Sequence, residues 1–415
     1  MSPAPAAHAE RLLEYVRILA PLVEAERHDL DTKRELSPSL LDALHTSGLF
    51  RLWLPRRLGG AELDPVSGLQ VIAAVSALDG SVGWNVMVAA AYGIFAGRLP
   101  ARAAARIFGD RRAAVAGHLA PFGKAEVIKG GYRATGRWPF GSGSRHATWF
   151  LARCTLHRNG RARRGPTGRL ETRLLLVPAR ACRIHDTWRV SGLRGTGSHD
   201  YSIKDVTVPA EYSIDIRADR PTRPERLYAF PAIPFVEAAV AAVPIGIARA
   251  AIDAFTDLAR TRRAYRSRRL LRADPTTQGE IGRAELHVRS ADALLSTAVG
   301  DMWRAVKAGR RPTLEQRAQL RVGCVNAGES AAAAVDIVYR LGGAASIFEG
   351  TGSSVASVTC TPPPSTGHWP RGRWIWSGRC VWAWTRRASS DHSAPTLTPT
   401  PARPMVRAQG GHAQC

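Results

Sequence analysis

The 415-residue chain is short of lysine, methionine and cysteine, and each shortage excludes something. Its 6 cysteines show no regular spacing and no Cys-x-x-Cys pair, so neither a disulfide framework nor a zinc site is implied. No metal is expected, and a reducing cytoplasm is the expected compartment. No uncharged apolar run reaches the ~18 residues that a membrane-spanning helix needs; the run around Val86–Ala96 stops short. The chain does not open with a basic stretch followed by an apolar one, so no signal peptide is expected. Lysine occurs only at Lys33, Lys124, Lys129, Lys204 and Lys307, so the formal net charge of +24 is an arginine excess. The arginines are scattered with alanine and glycine through every segment, as a GC-rich coding bias produces. No nucleic-acid-binding signature accompanies them, so nucleic acid is not an expected partner. The densest run, Thr261–Arg272, reads as a solvated loop or subunit contact, or else as a phosphate-facing patch.

What is present is ordinary for a globular protein: 45% hydrophobic and 22% charged residues. The length allows roughly two or three domains. Residues 1–111 read as helical. Leu12, Leu13, Val16, Leu19, Leu22 and Val23 recur at three- and four-residue spacing within Ala7–Leu30. Ser37-Pro38 offers a cap and a first-turn proline for a second helix ending at Gly48. Pro65 opens another, Ser81–Ala96 reads as a buried helix, and Ala101–Phe108 ends at Gly109. Residues 112–215 change character. Ala113–Leu119, Ala125–Ile128, Tyr132–Trp138, Thr148–Cys154, Arg173–Val177, Thr187–Val190 and Ser202–Val208 read as antiparallel strands, with His157–Arg169 as an exposed hairpin loop. Residues 229–351 are helical again (Val236–Arg260, Thr277–Ala308, Thr313–Leu341), broken at Asp274-Pro275 and Arg311-Pro312. Helices, strands, then a helical bundle make an α+β protein.

That order carries motifs. Gly48–Gly60 reads GLFRLWLPRRLGG, followed by Ser81-Val-Gly-Trp-Asn85, Gly136–Gly143 (GRWPFGSG) and Gly192–Ser198 (GLRGTGS) with Val206–Pro209. The ordered set resembles the acyl-CoA dehydrogenase superfamily over roughly residues 8 to 351. The resemblance implies a helical N-terminal domain, a middle β-barrel domain and a C-terminal four-helix bundle. Gly136–Trp149 (GRWPFGSGSRHATW) and Gly117–Gly123 (GHLAPFG) are more similar to the two-component flavin monooxygenase branch than to the dehydrogenases proper. That branch implies FAD or FMN as cofactor, delivered reduced by a partner flavin reductase. O2 adds at the flavin, and oxygen passes to a phenolic or polycyclic aromatic substrate. It also implies a homodimer or homotetramer, for which the alanine-rich faces Ala238–Ala242 and Ala331–Val335 offer close approach. The chemistry asks for a dry pocket and for a base that makes the substrate phenol electron-rich, and histidine is the side chain whose pKa suits that near neutrality.

The resemblance then places residues. His118 matches a histidine near the substrate, or is one satisfied by backbone at a strand end. Ser142 matches the serine near flavin N5, or satisfies its own turn. Trp138 packs on the flavin ring or is plain core. Phe140, Gly143, Thr196 and Ser198 complete the expected cofactor contacts, although turn chemistry alone accounts for the last two equally well. His146 and His199 read as surface or turn residues. An acyl-CoA dehydrogenase and a non-catalytic relic remain the alternatives; Glu349 in Phe348-Glu-Gly-Thr351 imitates a dehydrogenase glutamate but comes too soon after Gly342.

Beyond Thr351 the pattern collapses. Residues 352–415 hold Trp369, Trp374, Trp376, Trp382 and Trp384, three consecutive prolines from Pro362, and no amphipathic period, so the stretch reads as an aberrant, disordered tail. A one-base frameshift accounts for it. Shifted, Val358–Gly367 yields R-D-V-H-A-A-T-Q-H-W with permitted codons. The single tryptophan codon forces aspartate at Trp374-Ile375, glycine at Trp382-Ala383 and aspartate at Trp384-Thr385. The result is similar to the usual end of this branch, including a last bundle helix and a second histidine that the present chain lacks.

Overall fold

A computed structural model describes residues 5–218, 221–263, 268–343 and 346. Five helices come first: α1 (Pro5–Lys33), α2 (Pro38–Ser47), α3 (Pro65–Leu78), α4 (Gly80–Tyr92) and α5 (Ala101–Phe108). Their ends are written locally. Ser37 Oγ accepts from Leu40 N at 3.1 Å, Pro38 occupies the first turn, and Gly48 closes α2 at φ 80°. Leu12, Val16, Leu19, Val23 and Leu30 form the buried stripe of α1. The residues of α4 from Ser81 to Tyr92 are all buried, so this helix is core on every side.

One mixed sheet follows: β1 (Val115–Ile128), β2 (Gly131–Gly141), β3 (Trp149–Arg158), β4 (Arg161–Ala162), β5 (Thr172–Pro178), β6 (Arg183–His185), β7 (His199–Pro209) and β8 (Ser213–Ile214). Its order is β6-β7-β2-β1-β3-β5-β8, with β4 on β3. Three sequence expectations change. Ala113–Leu119 and Ala125–Ile128 are two parts of β1, joined across a register shift between His118 and Gly123. The β1/β3 pair is parallel, not antiparallel. Thr187–Val190 is not a strand; β6 takes that edge instead, pairing Arg183–His185 with β7. Both faces of the sheet are covered. Leu174 and Leu176 of β5 join the helical core, while Leu175 and Val177 join a separate core with Trp138, Phe150 and Tyr201. A strand buried on both faces reads as a continuous apolar run, as Leu174–Val177 does.

Three long helices close the described chain: α6 (Ala232–Thr261), α7 (Pro275–Lys307) and α8 (Leu314–Gly342). Asp274 caps α7 through Thr277 N at 2.8 Å, and Thr313 with Gln316 forms a reciprocal capping box on α8. By length and composition α6 is apolar enough to cross a membrane, yet 89% of that apolar window is buried in the fold. Its alanines from Ala238 to Ala242, and Ala331 and Ala334 of α8, are themselves buried within the chain. Those alanines therefore pack helix on helix inside one chain, while Ala332 and Ala333 on the same stretch remain half-exposed. Glu349 and the tail 352–415 lie outside the described residues.

Candidate active site

The register shift in β1 sets the first part of the site. Gly117 adopts φ 135°, and a Cβ there would lie 2.4 Å from Leu151 O, so only glycine lets the two backbones meet. The neighbouring His118 donates its N–H to Tyr201 Oη at 3.1 Å, and Arg153 Nη1 donates to Leu119 O at 3.0 Å. The His118 ring faces aromatic neighbours, with centroids 5.2 Å from Phe122 and 6.3 Å from Phe140. Its Nδ1 accepts from Ala120 N at 2.9 Å. In the neutral ring the proton therefore resides on Nε2, which is a donor. Phe122 and Phe140 are 45% and 39% exposed, high for aromatic rings in a folded chain.

At the end of β2 the chain turns sharply. Phe140 takes φ 58°, a left-handed value that a bulky residue adopts only under restraint. Ser142 N donates to Phe140 O at 2.9 Å, and Gly143 N donates to Thr196 O at 2.8 Å, bracing this turn on the one at Arg194–Thr196. Between the turns runs a buried line of hydroxyls. Trp84 Nε1 donates to Ser142 Oγ at 2.9 Å, Ser142 Oγ lies 2.7 Å from Ser198 Oγ, and Ser198 Oγ lies 2.7 Å from Thr196 Oγ1. Thr196 Oγ1 donates to Leu193 O at 2.8 Å. Trp84 comes from α4, so this line ties the helical domain to the sheet.

Behind Ser142 lies a narrow crevice with no room for a water molecule, walled by Asn85, Val88 and Ala89 of α4, by Ala114–Ala116, and by Gly143 and His146. Asn85 Nδ2 donates to Ser81 O at 3.0 Å and Gly195 O at 3.2 Å. Two carbonyls fix the amide orientation, and Oδ1 is left buried with no partner. His146 stacks on Phe50 with centroids 5.8 Å apart. Burial, with His45 close by, pushes its imidazole down to about 4, so it is neutral at ordinary pH.

The structure thus brings together His118, Phe140, Ser142, Gly143, Thr196 and Ser198 around one end of the sheet. It removes Trp138. That indole is wholly enclosed, donates from Nε1 to Arg153 O at 2.9 Å and stacks on Tyr201, so it has no face left for a ligand. Phe140 carries the exposed ring instead. His146 sits in the turn at 142–146, as the sequence suggests, and half-buried there it forms part of the crevice wall. His199 is buried as well, its Nδ1 accepting from Trp188 N at 3.2 Å. Trp84 and Asn85 were not expected as site residues; their only sequence signal is the Ser81–Asn85 motif.

Comparison with known proteins sets this geometry in a class. The acyl-CoA dehydrogenase C-terminal domain family matches residues 238–351. The chain is 32% identical over 343 residues to the indole-3-acetate monooxygenase of Pseudomonas putida, covering 82% of this chain and 84% of that protein. It is 27% identical over 345 residues to HsaA, the oxygenase subunit of a flavin-dependent monooxygenase from Rhodococcus jostii, covering 80% and 88%. The structure of XiaF from Streptomyces sp., in complex with FADH2 and glycerol, superposes with a TM-score of 0.80 at 23% identity over 96% of this chain and 98% of that one, which establishes the shared fold. The chain belongs to the acyl-CoA dehydrogenase superfamily. Within it, it is a member of the flavin-dependent monooxygenase branch, an oxidoreductase family, rather than of the dehydrogenases proper.

Proposed function

We propose that this chain is the oxygenase component of a two-component system, hydroxylating a phenolic or fused-ring aromatic with reduced flavin from a separate reductase. The observation that carries the reading is the convergence of the exposed Phe140 ring, 6.3 Å from His118, with the buried hydroxyl line that begins two residues later. A planar, partly polar ring system fits these residues. Phe140 and Phe122 offer apolar faces, Ser142 and Gly143 line the crevice, and the orphaned Asn85 Oδ1 awaits a donor. Bound reduced flavin, as FAD or FMN, supplies the electrons that activate O2. The protein's own residues do the rest. His118 directs its Nε2–H toward the substrate oxygen and stabilises the charge of the phenolate, a donor's role rather than a base's, because Nδ1 is occupied. Val88, Ala89 and Ala114–Ala116 keep water from the crevice.

The fused-ring preference draws support from the indole acid named for the Pseudomonas relative. Assembly as a homodimer or homotetramer follows from the family resemblance, and a cytoplasmic setting from the cysteine usage. We further propose that the frame slip read in the sequence after Thr351 replaces the family's usual ending, with its second histidine, and lowers the activity of the present chain. Reading the coding DNA across Thr351 tests the slip. A frame-restored chain, given reduced flavin and O2, should incorporate oxygen into a phenol or indole. Oxidation of an acyl-CoA with no oxygen incorporation would replace this reading with the dehydrogenase one.

A further inference from the structure

Hydrogen counting gives the hydroxyl line a direction. Each hydroxyl owns one hydrogen, an indole nitrogen only donates and a carbonyl only accepts. Thr196 Oγ1 lies 2.8 Å from Leu193 O, so the threonine hydrogen is committed there. The same carbonyl accepts from Thr196 N at 3.2 Å and Trp188 Nε1 at 3.1 Å, and Leu193 is held at φ 54°, which fixes this end in place. Thr196 must then receive across its 2.7 Å contact with Ser198, which uses the Ser198 hydrogen. Ser198 in turn receives from Ser142 across 2.7 Å. At the other end Trp84 donates to Ser142. Ser142 spends its hydrogen inward and one lone pair on the indole, and one lone pair remains.

Reduced flavin carries a hydrogen on N5, whereas oxidised flavin carries a lone pair there. We propose that the one-way line Trp84–Ser142–Ser198–Thr196–Leu193 makes Ser142 an acceptor-only contact for flavin N5, so that the site accepts the reduced cofactor and disfavours the oxidised one. This rests on the reading above that flavin N5 meets Ser142. Ser198 and Thr196 are positioning residues, acting on the cofactor through the serine. A neutral hydrogen bond replaced by two opposed lone pairs sets a preference on the order of tenfold.

The test uses the full chain and measures dissociation constants for oxidised and for anaerobically reduced FAD and FMN. Wild type binds the reduced form tighter. Ser198→Ala releases the Ser142 hydrogen while keeping the Trp84 bond, so the preference falls roughly three- to tenfold. The midpoint potential of the bound flavin drops correspondingly, by about 15–30 mV for a two-electron couple. Thr196→Val removes the terminal acceptor, lets Ser198 turn its hydrogen toward Ser142 and lowers the preference in the same way. Thr196→Ser restores it, and Trp84→Phe leaves it in place because the Ser142 hydrogen is still committed. Wild-type preference for oxidised flavin overturns the inference without any variant. So does an unchanged ratio in Ser198→Ala and Thr196→Val, and then the flavin reading stands. If Ser198→Ala does not fold, the Thr196→Val and Thr196→Ser pair decides. Binding of neither redox form by the present chain or by its frame-restored version overturns the flavin reading, and the hydroxyl line's role falls with it.

Discussion

The two walls of the crevice behind Ser142 differ in how their polar atoms are satisfied. On the Ser142 wall every hydroxyl hydrogen has an acceptor, from Trp84 through to Leu193 O. On the α4 and His146 wall Asn85 Oδ1 is buried with no partner and the His146 ring is held neutral. A closed line of hydrogen bonds fixes geometry. An orphaned buried acceptor costs the folded protein about 1–3 kcal/mol, and persists where a ligand supplies the missing donor. One wall is a frame and the other a socket. His118, on the exposed aromatic rim beside them, belongs to neither, and in the function proposed above it is the residue that meets the substrate.

The largest effect expected is on that rim. Removing one donor aimed at developing charge lowers turnover by about 10²–10³-fold. His118→Ala should therefore cut hydroxylation in the frame-restored chain by that amount, while dissociation constants for reduced flavin hold. His118→Gln, which keeps a donor, should recover part of the loss. Equal loss in both variants would return His118 to a backbone-satisfied strand residue.

A smaller effect is expected where the walls meet. Gly143 takes φ 74°, and a Cβ there would lie 2.8 Å from His146 Nε2 and 3.2 Å from Asn85 Oδ1. Gly143→Ala combines left-handed strain with that crowding and should lower stability by roughly 1–3 kcal/mol, read as a shift in denaturant midpoint. It should also weaken flavin binding, because it narrows the socket. A neutral Gly143→Ala would mean that the crevice wall yields freely.

These sites also mark how far the sequence is legible. Helix starts such as Ser37-Pro38 and Asp274-Pro275 are local chemistry, and α5 falls at Ala101–Phe108 as the pattern implies. The parallel β1/β3 pairing is a long-range choice that no local pattern records. The two aromatics of β2 show the same limit. Strand alternation puts Trp138 and Phe140 on one face, but the positive φ at Phe140 turns its ring outward while Trp138 remains in the core. Ser142, Thr196 and Ser198 were readable as a set through their motifs. Their link to Trp84, 58 residues away in sequence, was not.

Phe140 allows the third test, in which stability and binding should move apart. Its left-handed backbone costs of order 1–3 kcal/mol. Phe140→Gly relieves that strain and removes a ring already 39% exposed, so stability should hold or rise slightly. Flavin affinity should fall several-fold, since the apolar face is lost. A parallel fall in both would make Phe140 a structural residue.

The smallest effect is the pH response of the socket. His146 titrates near 4 in the fold against an ordinary value of 6.5, because burial penalises the imidazolium. Between those values the unfolded chain binds a proton that the folded chain refuses. The stability due to neutral His146 is therefore complete above about pH 6.5 and is lost as pH falls toward 4. Burial lowers His45 and His199 in the same direction, so they add to the slope. Glu237 works against it: burial raises its carboxyl to about 7, and protonation on acidification favours the fold. The informative quantity is therefore a difference. His146→Gln should lose less thermal stability than wild type between pH 7.5 and pH 5, by a few degrees, with the two melting curves converging at the upper pH. Identical pH profiles would place the His146 ring in water.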